Sequence, residues 1–352
     1  MYIGVDTHKK EHVLVAIDEQ GRRGGTHHSP NTPEGWAQSV AWARAQGSAC
    51  RWGIENSGSL GKGFAQFLLA QGETAVHEVS PHRTAQYRRR GRTQDKTDET
   101  DALAIARLML AEGEQLPHVQ RDDRSTELRL LSDHRDNLLV ERTRLINQLH
   151  SQMLQIDPSY KEKSGRLTAE SGVIYCRDLT IADAGDLIQT RLLIVQQLAA
   201  QIVRLNADIA AVTADLERRV QESETPLLTL RGVGTIVAAR VIGELGTTPR
   251  ISSAPALAAL AGIAPVAVSS GGRGGYRLNR GGNRQLNRAI HIIALAQRRC
   301  DPRAQAYYAK KRAEGKSARA AMRCLKRRLV DVLYRLLPRE PAGMALTAAP
   351  AA

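Results

Sequence analysis

The chain has 352 residues, a length that favours two globular units and a connector over one, and at 42% hydrophobic content each unit can bury a core. No run of about 18 consecutive apolar residues occurs, which argues against a membrane-spanning helix. The formal net charge of +14 is unevenly placed: residues 1–225 hold 28 Lys and Arg against 31 Asp and Glu, whereas residues 226–352 hold 22 against 5. An excess of that kind attracts polyanions by neutralising phosphates, and nucleic acid is the commonest such partner.

The start, MYIGVDTHKK, reads as a strand. It lacks the basic segment, apolar run and small-residue cleavage site of a secretory leader, so a cytoplasmic protein is expected. Cys50, Cys176, Cys300 and Cys324 are far apart and form no CxxC pair, so they read as ordinary buried thiols rather than a disulfide framework or a zinc site.

Residues 2–6 (YIGVD) and 12–18 (HVLVAID) are apolar and β-branched, with Glu19-Gln20-Gly21 as a turn after them. Thr32-Pro33-Glu34 opens a helix reaching about Gln46. Cys50–Glu55 then reads as a strand, Leu60–Ala70 as a helix and Thr74–Val79 as a strand. Thr97 caps a helix over 97–112 whose apolar positions are Ala102, Leu103, Ile105, Ala106 and Leu108. Strands first and alternating units afterwards describe an α/β sheet layered by helices.

From Asp123 to about Ile156 the apolar residues fall along one helix side, until Asp157-Pro158 stops it. A second helix carries Val195, Leu198, Ile202, Leu205, Ile209, Val212 and Leu216, spaced alternately three and four apart, the spacing of a coiled-coil seam. Spacing leaves open whether that seam meets a helix of the same chain or of another. The last part opens at Pro226, where LRGVGTIVAARVIGELG places Gly232 and Gly234 before an apolar helix. That turn resembles a helix-hairpin-helix element whose N–H groups face a phosphate. After a helix over Ala254–Ala261, the segment PVAVSSGGRGGYRLNRGGNRQLNRAI reads as an extended, glycine- and arginine-rich stretch. A basic helix follows over about Ser317–Leu337 and holds Lys326, Arg327 and Arg328.

Four carboxylates stand out in this frame. Asp6 ends the first strand, Glu55 ends a later one, and Asp98 and Asp101 lie three apart at a helix start, on nearly the same face. Any one of them reads equally as a turn former or a residue favoured by the helix dipole. Their conjunction, in this order, is that of a ribonuclease-H-like nuclease core. Such an oxygen-rich pocket suits Mg²⁺, or Mn²⁺, and one or two such ions can activate a nucleophile and stabilise the leaving oxygen of a phosphodiester.

With these residues the chain resembles the IS-one-ten class of bacterial insertion-sequence transposases, the DEDD transposases. The N-terminal marks are IGVDTHK with Asp6, GIENSG with Glu55 and KTDETDALAIA with Asp98 and Asp101; the C-terminal marks are LRGVGTIVAARVIGEL, LAALAGIAPVAVSSGG and RLNRGGNRQLNRAI. The resemblance covers nearly the whole chain and implies a RuvC-like catalytic domain (1–120), a coiled-coil helical connector (121–225), a mostly helical C-terminal transposase domain (226–340) and a disordered tail (341–352). It also implies a serine nucleophile that holds a covalent phosphoserine intermediate during strand exchange, a structured noncoding bridge RNA that pairs with donor and target DNA, and a homotetramer assembled from two dimers.

The matching serine is Ser270, with Ser269 adjacent. A serine hydroxyl needs a base or metal nearby, and charge building on the phosphate needs cations, for which Arg273, Arg277, Arg280, Arg284 and Arg288 are close in sequence. Arg88, Arg89 and Arg90 make a second basic cluster that reads either as a nucleic-acid contact or as a solvated loop. His8 is adjacent to Asp6 and reads either as a neighbour of the site or as a surface residue. Two alternatives to the recombinase stand: a RuvC-like structure-selective nuclease that uses water, and a nucleic-acid-binding protein without catalysis.

Overall fold

The structure is a computed structural model that describes residues 1–47, 49–89, 97–182, 185–246, 251–270, 273–279 and 281–337, with the backbone alone over 267–270 and 273–278. The expected tail over 341–352 therefore lies outside the described residues. The chain divides into two compact units, Met1–Asp122 and Asp123–Ala352.

The first unit is a five-stranded mixed sheet between helices. Strands β1 (Tyr2–Thr7), β2 (Glu11–Ile17) and β3 (Arg23–Pro30) form an antiparallel meander, and β4 (Arg51–Glu55) and β5 (Val76–Val79) add in parallel on the other side of β1, giving the order β3-β2-β1-β4-β5. Helices α1 (Pro33–Gln46) and α2 (Lys62–Ala70) join the later strands, and α3 (Pro81–Arg89) and α4 (Asp98–Glu112) follow β5.

The period-two pattern of β1 and β4 decides which layer covers which face. Ile3, Val5, Trp52 and Ile54 point to one side, where Val40 and Ala43 of α1 and Phe64, Ala65 and Leu68 of α2 bury them. Gly4 and Gly53 point to the other side and lie opposite each other in register. There α4 seats Ala102 and Ala106 against β1 and β2, and Ile105, Leu108 and Met109 beside β4 and β5. Each fully buried aliphatic side chain in these layers stabilises by about 1.5–3 kcal/mol. β3 is the departure from expectation: RGGTHHSP has no apolar alternation, and it forms an edge strand through its main-chain ladder to β2.

The second unit is mostly helical. Long helices α5 (Arg124–Ile156) and α8 (Asp186–Glu222) run antiparallel, with Arg135 bonded to Thr213 at 2.7 Å and Arg191 to Gln152 at 2.8 Å. At one end Leu145, Leu149 and Met153 pack on Val195, Ala199 and Ile202, capped by the short helices α6 (Tyr160–Ser164) and α7 (Glu170–Asp178). At the other end Leu128, Leu216 and Val220 join a separate core with α9 (Thr235–Leu245), α10 (Ala254–Leu260), α11 (Arg284–Cys300), α12 (Pro302–Ala313) and α13 (Ala318–Leu336). Strands β6 (Pro265–Ser270) and β7 (Arg273–Leu278) form a hairpin ahead of α11.

Two expectations are corrected here. RQLNRAI is the start of amphipathic α11 rather than extended chain: Asn283 caps it, and Leu286, Ala289, Ile290 and Ile293 supply its buried stripe. Of the four cysteines, only Cys50 and Cys176 are buried; Cys324 is half-buried, and Cys300 is exposed because it closes α11 where the helix meets solvent.

Candidate functional site

Asp6 and Glu55 each follow the Val5–Ile54 register pair by one residue on adjacent parallel strands, so they emerge together at the carboxyl edge of the sheet. Both point to the side of Gly4 and Gly53, two residues before them, which is the side α4 covers. The direction of α4 brings its first turn to the same edge. That turn is fixed by a reciprocal capping box between Thr97 and Thr100, and it carries Asp98, Glu99 and Asp101. Glu99 turns away to pair with Arg23 and His28 of β3.

The other two acids face the strand ends. His8 Nε2 lies 3.2 Å from Asp6 Oδ2 and 3.3 Å from Asp98 Oδ1, and Asp6, His8 and Asp98 present ligand atoms within 4.8 Å of one another. Asp101 is buried and ion-paired with Arg88 from α3. Glu55 is buried on β4, where the Thr7 hydroxyl donates to its backbone carbonyl at 2.9 Å.

Burial pushes the Asp6 carboxyl above its ordinary range; His8 opposes the shift, and the charges of Asp101 and Asp98 add to it. Burial likewise raises Glu55, against the Thr84 hydroxyl, and Asp6 and Asp101 add to the rise. The four predicted acids thus share one electrostatic neighbourhood in which two buried carboxylates repel each other and their neighbours.

Comparison with known proteins bears on what such a cluster serves. A family model described as a transposase, of the DEDD IS110 kind, matches residues 3–158, and one described as the transposase IS116/IS110/IS902 family matches residues 224–309. Together they span both units. The chain belongs to the IS110 class of insertion-sequence transposases. It is 26% identical to the insertion element IS900 uncharacterized 42 kDa protein of Mycobacterium paratuberculosis, with 96% of this chain and 95% of that protein covered. It is 27% identical to the insertion element IS116 uncharacterized 44.8 kDa protein of Streptomyces clavuligerus (96% and 94%), and 24% identical to the mini-circle putative transposase for IS117 of Streptomyces coelicolor (96% and 94%).

The family suggests divalent-metal use, and the donor set of the transposase fits it. Asp6, Glu55 and Asp101 are buried carboxylates whose mutual repulsion a cation would relieve, with Asp98 and the His8 imidazole at the opening. Among the described residues no helix is long and apolar enough to cross a membrane.

The basic residues singled out in the sequence are scattered by the fold. Arg88 is engaged with Asp101, and Arg89 is exposed at the end of α3. Gly232 takes a positive φ of 87° and faces Ala296 of α11, so close packing accounts for this glycine, while Gly234 caps α9. Arg288 pairs with Asp136, Arg327 pairs with Asp331, and Arg328 lies 5.9 Å from the Tyr307 ring, whereas Lys326 is buried. Ser269 and Ser270 close β6, and their side chains, with those of Arg273 and Arg277, lie outside the described residues, as do Arg90 and Arg280.

Sequence reasoning missed Thr84 and the pairing of Arg88 with Asp101. Both come from α3, whose polar sequence PHRTAQYRR shows no apolar period.

Proposed function

We propose that this transposase cuts and rejoins donor and target DNA through a covalent phosphoserine intermediate, with the acidic cluster of a RuvC-like first unit holding the divalent ion. The observation that carries the reading is the convergence of Asp6, Glu55, Asp98 and Asp101 at one sheet edge. A bound Mg²⁺ or Mn²⁺ would supply Lewis-acid stabilisation of phosphate oxygens and lower the barrier to deprotonating a nucleophile.

In this reading Asp6, Glu55, Asp98 and Asp101 are the ligands, and the His8 ring, hydrogen-bonded through Nε2 to Asp6, orients that carboxylate. The Ser270 Oγ attacks phosphorus, its proton leaves to a base, and the displaced strand departs as a hydroxyl. An incoming strand hydroxyl later attacks the same phosphorus and returns the serine. Arginines of the C-terminal region, among them Arg284 and Arg288, balance the charge on the phosphate. The helix-hairpin-helix reading of the Gly232–Gly234 turn, the coiled-coil role of α5 and α8 in a dimer that assembles to a tetramer, the three-part division at residues 120 and 225, and guidance by a noncoding RNA belong to the same proposal. RNA guidance would explain why the protein carries no legible target preference.

The test is a denaturing gel for a protein–DNA adduct, using the full chain, Mg²⁺, element-end DNA and the flanking transcript, with Ser269→Ala and Ser270→Ala in parallel. An RNA-dependent adduct lost only in Ser270→Ala is the expected result. Metal-dependent cleavage with no adduct in any version overturns the serine and leaves a nuclease that uses water.

A further inference from the structure

The second unit contains a cleft of about 810 Å³ between α11 and α13, closed at one end by the Gly262 and Gly282 backbones and flanked by Tyr308 of α12. Its volume falls within the usual range for small-molecule sites, about 300–1,000 Å³. Its lining carries six cations and no carboxylate: Arg288 pairs with Asp136 at 3.1 Å, whereas among the described residues no carboxylate oxygen lies within 4.0 Å of Arg284, Arg298, Arg319, Arg323 or Lys326. Arg240, on the neighbouring α9, is by contrast neutralised by Asp133, Asp136 and Glu244. Unneutralised guanidinium groups gathered in a concavity are arranged for an anionic ligand.

Lys326 sharpens the point. It is nine-tenths buried, and its ammonium has one hydrogen-bond acceptor among the described residues, the Asn287 side-chain oxygen at 2.5 Å. Three N–H donors in a buried place with one acceptor leave two to be satisfied. Asn287 is itself anchored by its amide to the Ala261 carbonyl at 2.7 Å, so the ammonium is aimed rather than mobile. Beside it, the Arg298 guanidinium lies 5.4 Å from the Tyr308 ring centre, which makes a flat platform of the kind on which a base stacks.

We infer that this cleft receives a single unpaired nucleotide of a nucleic-acid strand, with its phosphate on Lys326, Arg319 and Arg323 and its base against the Tyr308–Arg298 platform. The identity of the anion as nucleic acid rests on the recombinase reading; the existence of the site rests on the cleft itself. A duplex presents its phosphates on a convex cylinder that a concavity of this size does not admit, whereas an unpaired strand lowers one nucleotide into it. The two asparagines of the cleft are committed, Asn287 as described and Asn279 to the Gly281 N–H at 2.9 Å and the Ala259 carbonyl, so neither is free to read a base edge.

The experiment is fluorescence anisotropy with the full-length protein in chelator, using labelled oligothymidylate, labelled oligouridylate and a mixed-sequence duplex of equal length. The variants are Lys326→Met, Arg319→Gln with Arg323→Gln, Tyr308→Leu, and the control Lys161→Gln with Arg166→Gln, which removes two exposed charges elsewhere in the unit. The cleft variants should each lose about tenfold or more in single-strand affinity, with the arginine pair also flattening the salt dependence and Tyr308→Leu leaving its slope unchanged. Stronger loss on oligouridylate assigns the occupant as RNA, and stronger loss on oligothymidylate as DNA. Equal losses in the control pair, or duplex affinity falling as far as single-strand affinity, overturns the cleft. A protein that behaves as expected here yet never cleaves element-end DNA sinks the recombinase reading alone; one that forms the adduct while its cleft variants bind single strands normally sinks the cleft alone.

Discussion

Gly4 of β1 lies directly beneath Ala102 of α4, so close that a Cβ built on Gly4 would overlap the Ala102 carbonyl oxygen and the Ala106 nitrogen. Both obstructing atoms are backbone, and a helix cannot yield them without moving as a body. The helix that would move carries Asp98 and Asp101 in its first turn. One missing side chain in a strand thus sets the height of two acidic groups above Asp6 and Glu55.

Gly4→Ala is therefore expected to cost at least about 1–3 kcal/mol of stability, the usual penalty for overpacking, and to weaken divalent-metal binding in the fraction that folds. Gly53→Ala is the comparison: its Cβ would meet side-chain atoms of Met109 and Ile105 rather than helix backbone, so the helix need not move as a body and a smaller loss is expected. Denaturant midpoints for the two variants, with Mn²⁺ titrations on each, check the order. Equal midpoints would show that α4 has more freedom than its packing implies.

The buried acids make a prediction of their own. Asp6 and Glu55 have folded carboxyl groups held above their unfolded range by burial. In metal-free protein the folded state then binds more protons than the unfolded state as pH rises from about 4 through the raised values, and stability falls over that window. Asp6→Asn should accordingly melt a few degrees higher than the parent at pH 7 in chelator, lose most of the stabilisation Mg²⁺ gives the parent, and lose cleavage altogether. A variant that melts lower in chelator and keeps its metal response would remove Asp6 from the site.

Why some of this was legible and some was not follows from the range of each signal. Ile3, Val5, Trp52 and Ile54 alternate within their own strands, and α4 announces itself through Thr97 and its alanines, so both strand-end acids and the first turn of α4 could be read from local pattern. β3 escaped because an edge strand held by main-chain bonds needs no apolar alternation. The run Lys326-Arg327-Arg328 read as one basic surface, but successive helical residues turn by about 100°, and the fold sends them to a cleft, to Asp331 and to Tyr307. The partnership of Arg88 and Asp101 joins two helices and has no spacing that betrays it.

That partnership predicts a competition. The Arg88 guanidinium satisfies a buried carboxylate that the proposed metal also needs, and both groups are largely shielded from water. Arg88→Gln should remove the competing cation and tighten Mn²⁺ binding about three- to tenfold, while in chelator the unpaired Asp101 lowers the melting temperature. Calorimetric titration of Mn²⁺ into both proteins measures the shift. Unchanged affinity would mean that Arg88 and the ion do not share Asp101, and that the arginine is structural.

Lys326 supplies the last prediction, in which stability and binding move in opposite directions. Burial, with the charge of Arg323 adding to it, lowers the Lys326 ammonium to about 8 from an ordinary 10.5. The neighbouring His291 is held below its ordinary value by burial and by the charge of Lys326, and an imidazole offers no anion to neutralise the ammonium. Below pH 8 the lysine is protonated in both states and the folded state bears the desolvation cost in full. Between about 8 and 10.5 the unfolded chain binds the extra proton, so stability rises with pH across that window. Lys326→Met keeps most of the length of the side chain and removes the charge. It should be more stable than the parent by up to about 3 kcal/mol at pH 7, and that advantage should shrink as pH rises past 8. Paired melts from pH 6.5 to 10 read the difference directly, free of the other groups that titrate in both proteins. If the methionine variant is less stable at pH 7, then the Lys326 ammonium stabilises the fold, and the buried charge needs no ligand to account for it.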